Sequence, residues 1–232
     1  MTIWAILPAA GVGRRMGSST PKQYLRLNGV PVILLTLQRL AAVNDIEKII
    51  VVVHPDDNNW KTLGLEADQK FKFVSGGEER QHSVLNGLLA LGDKADENDW
   101  VLVHDAVRPC VEISDIEKLI STLRPHNIGG LLGSTSNNTL KLVNKQQEVV
   151  VTIDRSNYWN ALTPQMFRYG LLKEAMEKII EEGLVITDEA AAMEFMGHRP
   201  QIIEGSKFNI KITREQDLIL AGMILDLNNG ES

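Results

Sequence analysis

The sequence predicts an α/β fold in which a doubly wound, mostly parallel sheet carries helices on both faces. Two observations carry that prediction. Short apolar or β-branched runs recur from the N-terminus to about residue 130, and amphipathic stretches with helical spacing stand between them. Strand and helix thus alternate, which implies βαβ units with right-handed crossovers and parallel strands. A third observation breaks the pattern. Beyond residue 135 two β-prone runs are separated only by the polar Asn144-Lys145-Gln146-Gln147, the mark of an inserted hairpin.

Taken in order, residues 3–7 form an apolar run of the kind a buried strand makes, and Pro8 ends it. Asn28-Gly29 signals a turn, and Pro31 suits the first position of a helix through residue 40. The β-branched run 46–53 reads as a buried parallel strand. His54-Pro55-Asp56-Asp57 closes it and opens a helix to about residue 65, followed by a short strand at 71–74. Gly76-Gly77 turns the chain into a helix over 79–91, with Val84, Leu85, Leu88, Leu89 and Leu91 on its apolar face. A strand at 100–103 runs into His104-Asp105-Ala106-Val107-Arg108-Pro109. Ser114 and Glu117 then form a capping box for a helix through residue 123.

A glycine-rich strand follows at 129–133, then the hairpin of 139–143 and 149–153. A hairpin alone is marginally stable in water, so something must cover it, and a second subunit is the simplest cover. Residues 159–167, which contain Leu162-Thr163-Pro164-Gln165, are assigned to no element. Residues 169–182 form an amphipathic helix stopped by Gly183, and Thr187-Asp188-Glu189 caps a helix over 190–196 stopped by Gly197. Short strands at 202–205 and 209–213 precede a last helix over 215–227. With no repeat and no linker, residues 1–232 read as one Rossmann-like domain with a β-arm at about 136–157.

Composition narrows the function classes. At 44% hydrophobic and 23% charged, the chain is an ordinary globular protein. No apolar run approaches the length of a membrane span and no basic segment precedes the first apolar run, so neither a membrane nor a secretory role is expected. A single cysteine, Cys110, fits a reducing cytoplasm; it reads as a buried small side chain. The histidines show no zinc spacing. A net charge of −6 argues against a nucleic-acid partner. No acid occurs before Asp45, whereas Arg14, Arg15, Lys22, Arg26 and Arg39 do. An acidic protein with one locally cationic loop suits a small anion.

That loop follows the first strand. Gly11 and Gly13 allow positive φ and close approach of a ligand, and the loop's main-chain N–H groups with Arg14, Arg15 and Lys22 suit phosphate. It is neither of the two common cradles. Gly11-Val12-Gly13-Arg14-Arg15-Met16 puts methionine where a dinucleotide fingerprint needs its third glycine, and no P-loop spacing occurs. Two arginines and a lysine suit a reaction in which negative charge grows on phosphorus, such as nucleotidyl transfer. Other strand ends should converge on the same crevice. Gly76-Gly77-Glu78-Glu79-Arg80 with Ser83 is placed to meet a base. Asp105 is placed to hold a metal ion or a substrate hydroxyl and to pair with Arg108, while His104 reads as orienting or packed.

These segments resemble one family. Ala5-Ile6-Leu7-Pro8-Ala9-Ala10-Gly11-Val12-Gly13-Arg14-Arg15-Met16 with Pro21-Lys22-Gln23-Tyr24-Leu25 is similar to the loop of the 2-C-methyl-D-erythritol 4-phosphate cytidylyltransferases. Five further segments recur in order: Gly76-Gly77 with Arg80 and Ser83-Val84, Val103-His104-Asp105-Ala106 with Arg108-Pro109, Asp154-Arg155, Leu162-Thr163-Pro164-Gln165 and Thr187-Asp188-Glu189-Ala190. Asn209-Ile210-Lys211-Ile212-Thr213 adds a sixth. Glu78, where some relatives carry Asp, and Phe208, where others carry a shorter polar residue, depart from the pattern.

The resemblance implies a nucleotidyltransferase that joins CTP and 2-C-methylerythritol 4-phosphate with release of pyrophosphate, using Mg²⁺ or another divalent cation. Arg15, Lys22, Arg155 and Lys211 would serve the chemistry. Pro8, Ala9, Ala10, Gly11, Gly13, Gly77, Glu78, Arg80, Ser83, Asp105 and Ala106 would hold the nucleotide. Asp105, Arg108, Thr139, Arg155, Thr163, Thr187 and Lys211 would hold the polyol phosphate, with Asp105 also a candidate metal ligand. In the family the arm embraces a second subunit, so Thr139 and Arg155 would serve the neighbour's site in a homodimer. The nearest rival is a cytidylyltransferase for another polyol phosphate such as ribitol 5-phosphate; those relatives usually show Ala-Gly-Gly at the loop and lack Thr-Asp-Glu-Ala.

Overall fold

The computed structural model describes residues 1–11 and 20–230. Strand β1 (Ile3–Pro8) is buried up to Pro8. Successive side chains of a strand face opposite sides of the sheet, so Ile3, Ala5 and Leu7 enter one apolar cluster while Trp4 and Ile6 enter the other. Strands β2 (Arg26–Leu27) and β3 (Val30–Pro31) form a small hairpin. Its turn residues Asn28 and Gly29 both have positive φ, +50° and +82°, as a two-residue turn matched to strand twist requires. Helix α1 (Val32–Ala41) follows, with Pro31 as its N-cap rather than its first residue.

The chain continues through β4 (Ile46–Val53), β5 (Phe71–Ser75), α2 (Arg80–Leu89), β6 (Trp100–Val103), α3 (Ile113–Leu123) and β7 (Gly129–Thr135). An excursion, β8 (Leu140–Val143) and β9 (Val149–Ile153), leads to β10 (Trp159–Arg168). Helices α4 (Tyr169–Glu181) and α5 (Glu189–Phe195), strand β11 (Gln201–Glu204) and helix α6 (Glu215–Gly230) complete it.

Among the described residues the main sheet has seven strands in the order β11-β7-β10-β6-β1-β4-β5. All neighbours pair parallel except β10, which runs antiparallel between β6 and β7. Helices α1 and α3 bury Leu37, Leu40, Ile116 and Leu119 against one face, and α2, α4 and α5 bury Leu88, Met176 and Met193 against the other. Each such side chain contributes about 1.5–3 kcal/mol by leaving water, which holds both layers to the sheet. Helix α6 packs Ala221, Ile224 and Leu225 on Leu27, Val32 and Cys110; Cys110 is buried, as expected. No helix among the described residues is long and apolar enough to cross a membrane.

The predicted doubly wound α/β fold is present, with four local corrections. The helix expected after β4 shrinks to one 3₁₀ turn (Asn59–Leu63), because the Asp57 carboxylate accepts from the Asn59 main-chain N–H at 2.8 Å and offers the backbone a local alternative to helix. The Ser114 capping box does not form; α3 (Ile113–Leu123) starts two residues earlier than a Ser114 cap would place it, with Glu112 as N-cap. Residues 209–213 make no strand, since side-chain and loop bonds hold Asn209 and Ile212 to the site. The unassigned stretch is β10 itself. Proline is unwelcome in a central strand, and Pro164 is accommodated where the register against β7 shifts, between Ala161 and Gln165.

The predicted hairpin stands apart as its own two-stranded sheet. Leu142, Val149 and Val150 on it are about half exposed or more, at 52%, 60% and 61%.

Candidate active site

Three loops meet beyond the carboxyl ends of β1, β5 and β6, where open α/β sheets bind ligands. The first leaves β1 with the Ala9 N–H bonded to the Val52 carbonyl at 2.7 Å. Gly11 does not use the left-handed region that glycine allows, and among the described residues nothing stands within 4 Å of a Cβ added there, so the main chain is open to close approach. Gly13 and Arg15, with Arg14, lie outside the described residues. On the far side of the loop a 3₁₀ turn, Lys22–Tyr24, is pinned twice. Gln23 Nε2 donates to the Ala9 carbonyl at 2.8 Å, and the Tyr24 hydroxyl donates to Asp57 at 2.6 Å. Burial, then Asp57, push the Tyr24 pKa up, so the phenol keeps the proton it donates. Lys22 is thereby held at the mouth of the cleft.

The second loop follows β5. A Cβ on Gly76 would lie 2.6 Å from Ala10 Cβ and 2.8 Å from Ser83 Oγ, so only glycine lets the first two loops approach this closely. The Gly77 N–H donates to Ser83 Oγ, which donates to the Glu79 carbonyl, both at 3.2 Å. These bonds fold the loop over the first turn of α2, whose N-terminus favours negative charge.

The third loop follows β6 and is organised by charge. Asp105 is buried. Its Oδ1 meets Arg80 Nε at 3.3 Å, and its Oδ2 meets Arg108 Nε at 3.2 Å and Lys211 Nζ at 3.0 Å. Burial favours the neutral acid, but Arg80, Lys211 and Arg108 together outweigh it and hold the Asp105 pKa well below the usual carboxylate range. Arg80 also clasps Glu189, a carboxylate with no exposed surface, through two nitrogens. Burial works against the guanidinium charge, and Glu189 and Asp105 reverse that and push its pKa up.

Behind Asp105 lies a neutral chain of bonds. The Asp105 N–H donates to Thr163 Oγ1 at 3.2 Å, that hydroxyl donates to His104 Nδ1 at 2.9 Å, and His104 Nε2 donates to the Arg108 carbonyl at 3.2 Å. In this assignment the Thr163 hydroxyl accepts one bond and donates another, and the imidazole is neutral. Burial drives the His104 pKa down to about 4, in agreement. Asn209 ties the arrangement together: its side chain donates to the Thr163 carbonyl, and its own carbonyl accepts from Arg108, both at 2.7 Å.

Two adjoining hollows result. Pro8, Ala9, Ala10, Gly11, Lys22, Gly77, Glu78, Ser83 and Ala106 line the first. Arg108, Thr163 and Thr187 line the second, and Arg80, Asp105 and Lys211 form the wall between them, since they line both. Thr139 and Arg155 stand elsewhere. They flank the arm, exposed, and Arg155 donates to the Asn137 carbonyl. Sequence reasoning did not single out Glu189, Asn209, Gln165 or Gln23 as part of the site. All four are buried polar side chains whose partners come from distant segments, and a buried polar group is the signal that a sequence alone hides.

Side chains among the described residues form no cradle for the divalent cation. Among the described residues no group of three metal-ligating side chains occurs, and both oxygens of Asp105, the expected ligand, face cations instead. A carboxylate so engaged does not fit a metal ion.

A mostly parallel α/β sheet whose strand ends carry a cationic, glycine-bounded cleft beside a second polar hollow defines a nucleotidyltransferase. Comparison with known proteins sharpens this. Residues 3–227 match the family model of 2-C-methyl-D-erythritol 4-phosphate cytidylyltransferase. The enzyme of that name from Hahella chejuensis is 47% identical, over 96% of this chain and 92% of its own, and that of Aliivibrio fischeri is 44% identical, over 97% and 94%. The crystal structure of the Francisella tularensis enzyme superposes with a TM-score of 0.83 at 37% identity, covering 97% of this chain and all of that one. The chain belongs to the 2-C-methyl-D-erythritol 4-phosphate cytidylyltransferase family.

Proposed function

We propose that the chain transfers the cytidylyl group of CTP to 2-C-methyl-D-erythritol 4-phosphate, a step of isoprenoid biosynthesis, in the cytoplasm. One observation carries the reading: two hollows, one glycine-bounded and one polar, share a wall made of Arg80, Asp105 and Lys211. Such a wall brings two anionic substrates together, and most of the catalytic task is positioning them against their repulsion. The nucleotide fills the first hollow, its base against Gly77, Glu78 and Ser83 and its triphosphate toward the β1 loop. The polyol phosphate fills the second, with hydroxyls on Asp105 and Thr187 and its phosphate on cationic groups.

A phosphate oxygen of the polyol attacks the α-phosphorus in line, and the bond to pyrophosphate breaks. An ionised phosphate needs no general base, which agrees with a His104 that is neutral and fully enclosed. Lys22, Arg15 and Lys211 offset charge growing at the α-phosphorus. A divalent ion carried in with the triphosphate would screen its negative charge. The arm reaches a second copy of the chain and lends Thr139 and Arg155 to that copy's site.

The test is direct. The protein, CTP and Mg²⁺ are incubated with 2-C-methylerythritol 4-phosphate or with ribitol 5-phosphate, and pyrophosphate and the cytidine diphosphate product are measured. Turnover with the first polyol alone is expected. Turnover with ribitol 5-phosphate alone, or with neither, overturns the reading.

A further inference from the structure

Glu189 cannot touch a substrate, because none of its surface is exposed. It is the first residue of α5, and Asp188, which accepts from the Ala191 N–H at 3.0 Å, already caps that helix. An acid beside a helix N-terminus is favourable in itself, yet here both carboxylate oxygens are committed to one guanidinium. Arg80 Nη1 and Nη2 meet Oε1 and Oε2 at 2.5 and 3.1 Å, a two-point geometry that fixes the guanidinium plane as well as its position.

The remaining nitrogen, Nε, reaches Asp105 Oδ1 at 3.3 Å. Arg80 therefore spans two buried carboxylates, one structural and one at the shared wall. On its other oxygen Asp105 is held by Arg108 and Lys211, so three cations face two carboxylates. Without the charge on Glu189, the guanidinium has Asp105 as its sole carboxylate in this cluster. It would then turn its two-point face to Asp105 and cover the oxygen a polyol hydroxyl needs.

We infer that Glu189 is a positioning residue: by clasping Arg80 it keeps the Asp105 carboxylate presented to the second hollow and so sets the affinity for the polyol phosphate. The inference rests on the functional reading above and assigns it a specificity element outside the substrate contacts.

The experiment compares E189Q, D105N and E189Q/D105N with the wild type by steady-state pyrophosphate release. Melting temperatures are recorded in parallel. For E189Q the KM for 2-C-methylerythritol 4-phosphate rises about tenfold or more, while the KM for CTP changes less than about threefold. In the double variant the two losses do not add, because both act at one carboxylate. Equal loss for both substrates, a fall in kcat alone, wild-type kinetics or additive losses overturn the inference.

Removing one partner of a buried ion pair destabilises strongly, so E189Q is backed by R80Q/E189Q, which removes both charges. With the guanidinium gone nothing turns onto Asp105, so a polyol KM lowered from that of E189Q toward wild type supports positioning. A melting temperature restored toward wild type with the polyol KM still raised as in E189Q overturns it. Wild-type turnover of the same mixture reports on the functional reading separately.

Discussion

The ammonium of Lys211 stands 3.0 Å from Oδ2 of Asp105, at the point where the two hollows of the site meet. The lysine side chain is 39% exposed and the aspartate 8%, so the pair is solid on one side and wet on the other. The exposed partner is free to swing toward a substrate phosphate while Arg80 and Arg108 still satisfy the carboxylate. Replacing Lys211 with Ala should therefore cost little stability, because a half-exposed pair is worth little. Activity should fall about a hundredfold or more if the ammonium offsets charge in the transition state. Steady-state kinetics with a melting curve check both halves; unchanged kcat/KM removes Lys211 from the reaction.

Lys22 makes a sharper case, because Gln23 and Tyr24 next to it pin its turn to Ala9 and Asp57. Lys22→Ala should leave the melting temperature within a few degrees and lower kcat by orders of magnitude, with the KM for CTP much less affected. A variant that binds CTP poorly but turns over at the wild-type rate would show that Lys22 only anchors the nucleotide.

The His104 environment predicts a pH dependence. Its folded pKa of about 4 lies below the ordinary value of 6.5, so the unfolded chain takes up the proton first. Stability is then complete above about pH 6.5 and lost as pH falls from there toward 4. Asp105 acts in the same direction at lower pH, since its depressed pKa gives stability that goes as the carboxylate is protonated. With about 1.4 kcal/mol per pKa unit, His104 accounts for about 3 kcal/mol across that window. Denaturant unfolding of wild type and His104→Gln between pH 4 and 7 should show the variant with the flatter slope.

Gly76 is the position where a single methyl group should separate the loops. A Cβ there meets Ala10 Cβ at 2.6 Å and Ser83 Oγ at 2.8 Å. Neither neighbour is the end of a long side chain, so the loops must part. Gly76→Ala should cost about 1–3 kcal/mol by overpacking and raise the KM for CTP more than that for the polyol phosphate. Equal effects on both substrates would place the strain somewhere other than the nucleotide hollow.

How much of this was legible in the sequence divides along a physical line. The strands show as runs such as that of β1 because both sheet faces are covered, and the site loops show as glycine, lysine or aspartate placed just after such runs. What stayed hidden depends on partners far along the chain. Glu189 reads as an ordinary helix-start acid until Arg80 is seen against it. Asn209 looks like part of a strand until Thr163 and Arg108 claim it. Pro164 argues against the central strand in which it stands, and only the register shift beside it explains how the strand survives.

Arg155 is predicted from the sequence for the site yet lies at the base of the arm, exposed and bonded to the Asn137 carbonyl. The arm carries Leu142, Val149 and Val150 largely in solvent, surface that an isolated hairpin does not stabilise. Both facts are met if the arm lies on a second copy and Arg155 completes that copy's site. In a two-fold dimer each site then draws Lys22 from one chain and Arg155 from the other. Lys22→Ala and Arg155→Ala homodimers should both be inactive. Coexpression of the two at equal levels should restore about a quarter of wild-type activity, because half the dimers are mixed and each mixed dimer has one intact site. If Arg155 instead serves its own chain, every site in the mixed dimer is damaged and no activity returns at any ratio.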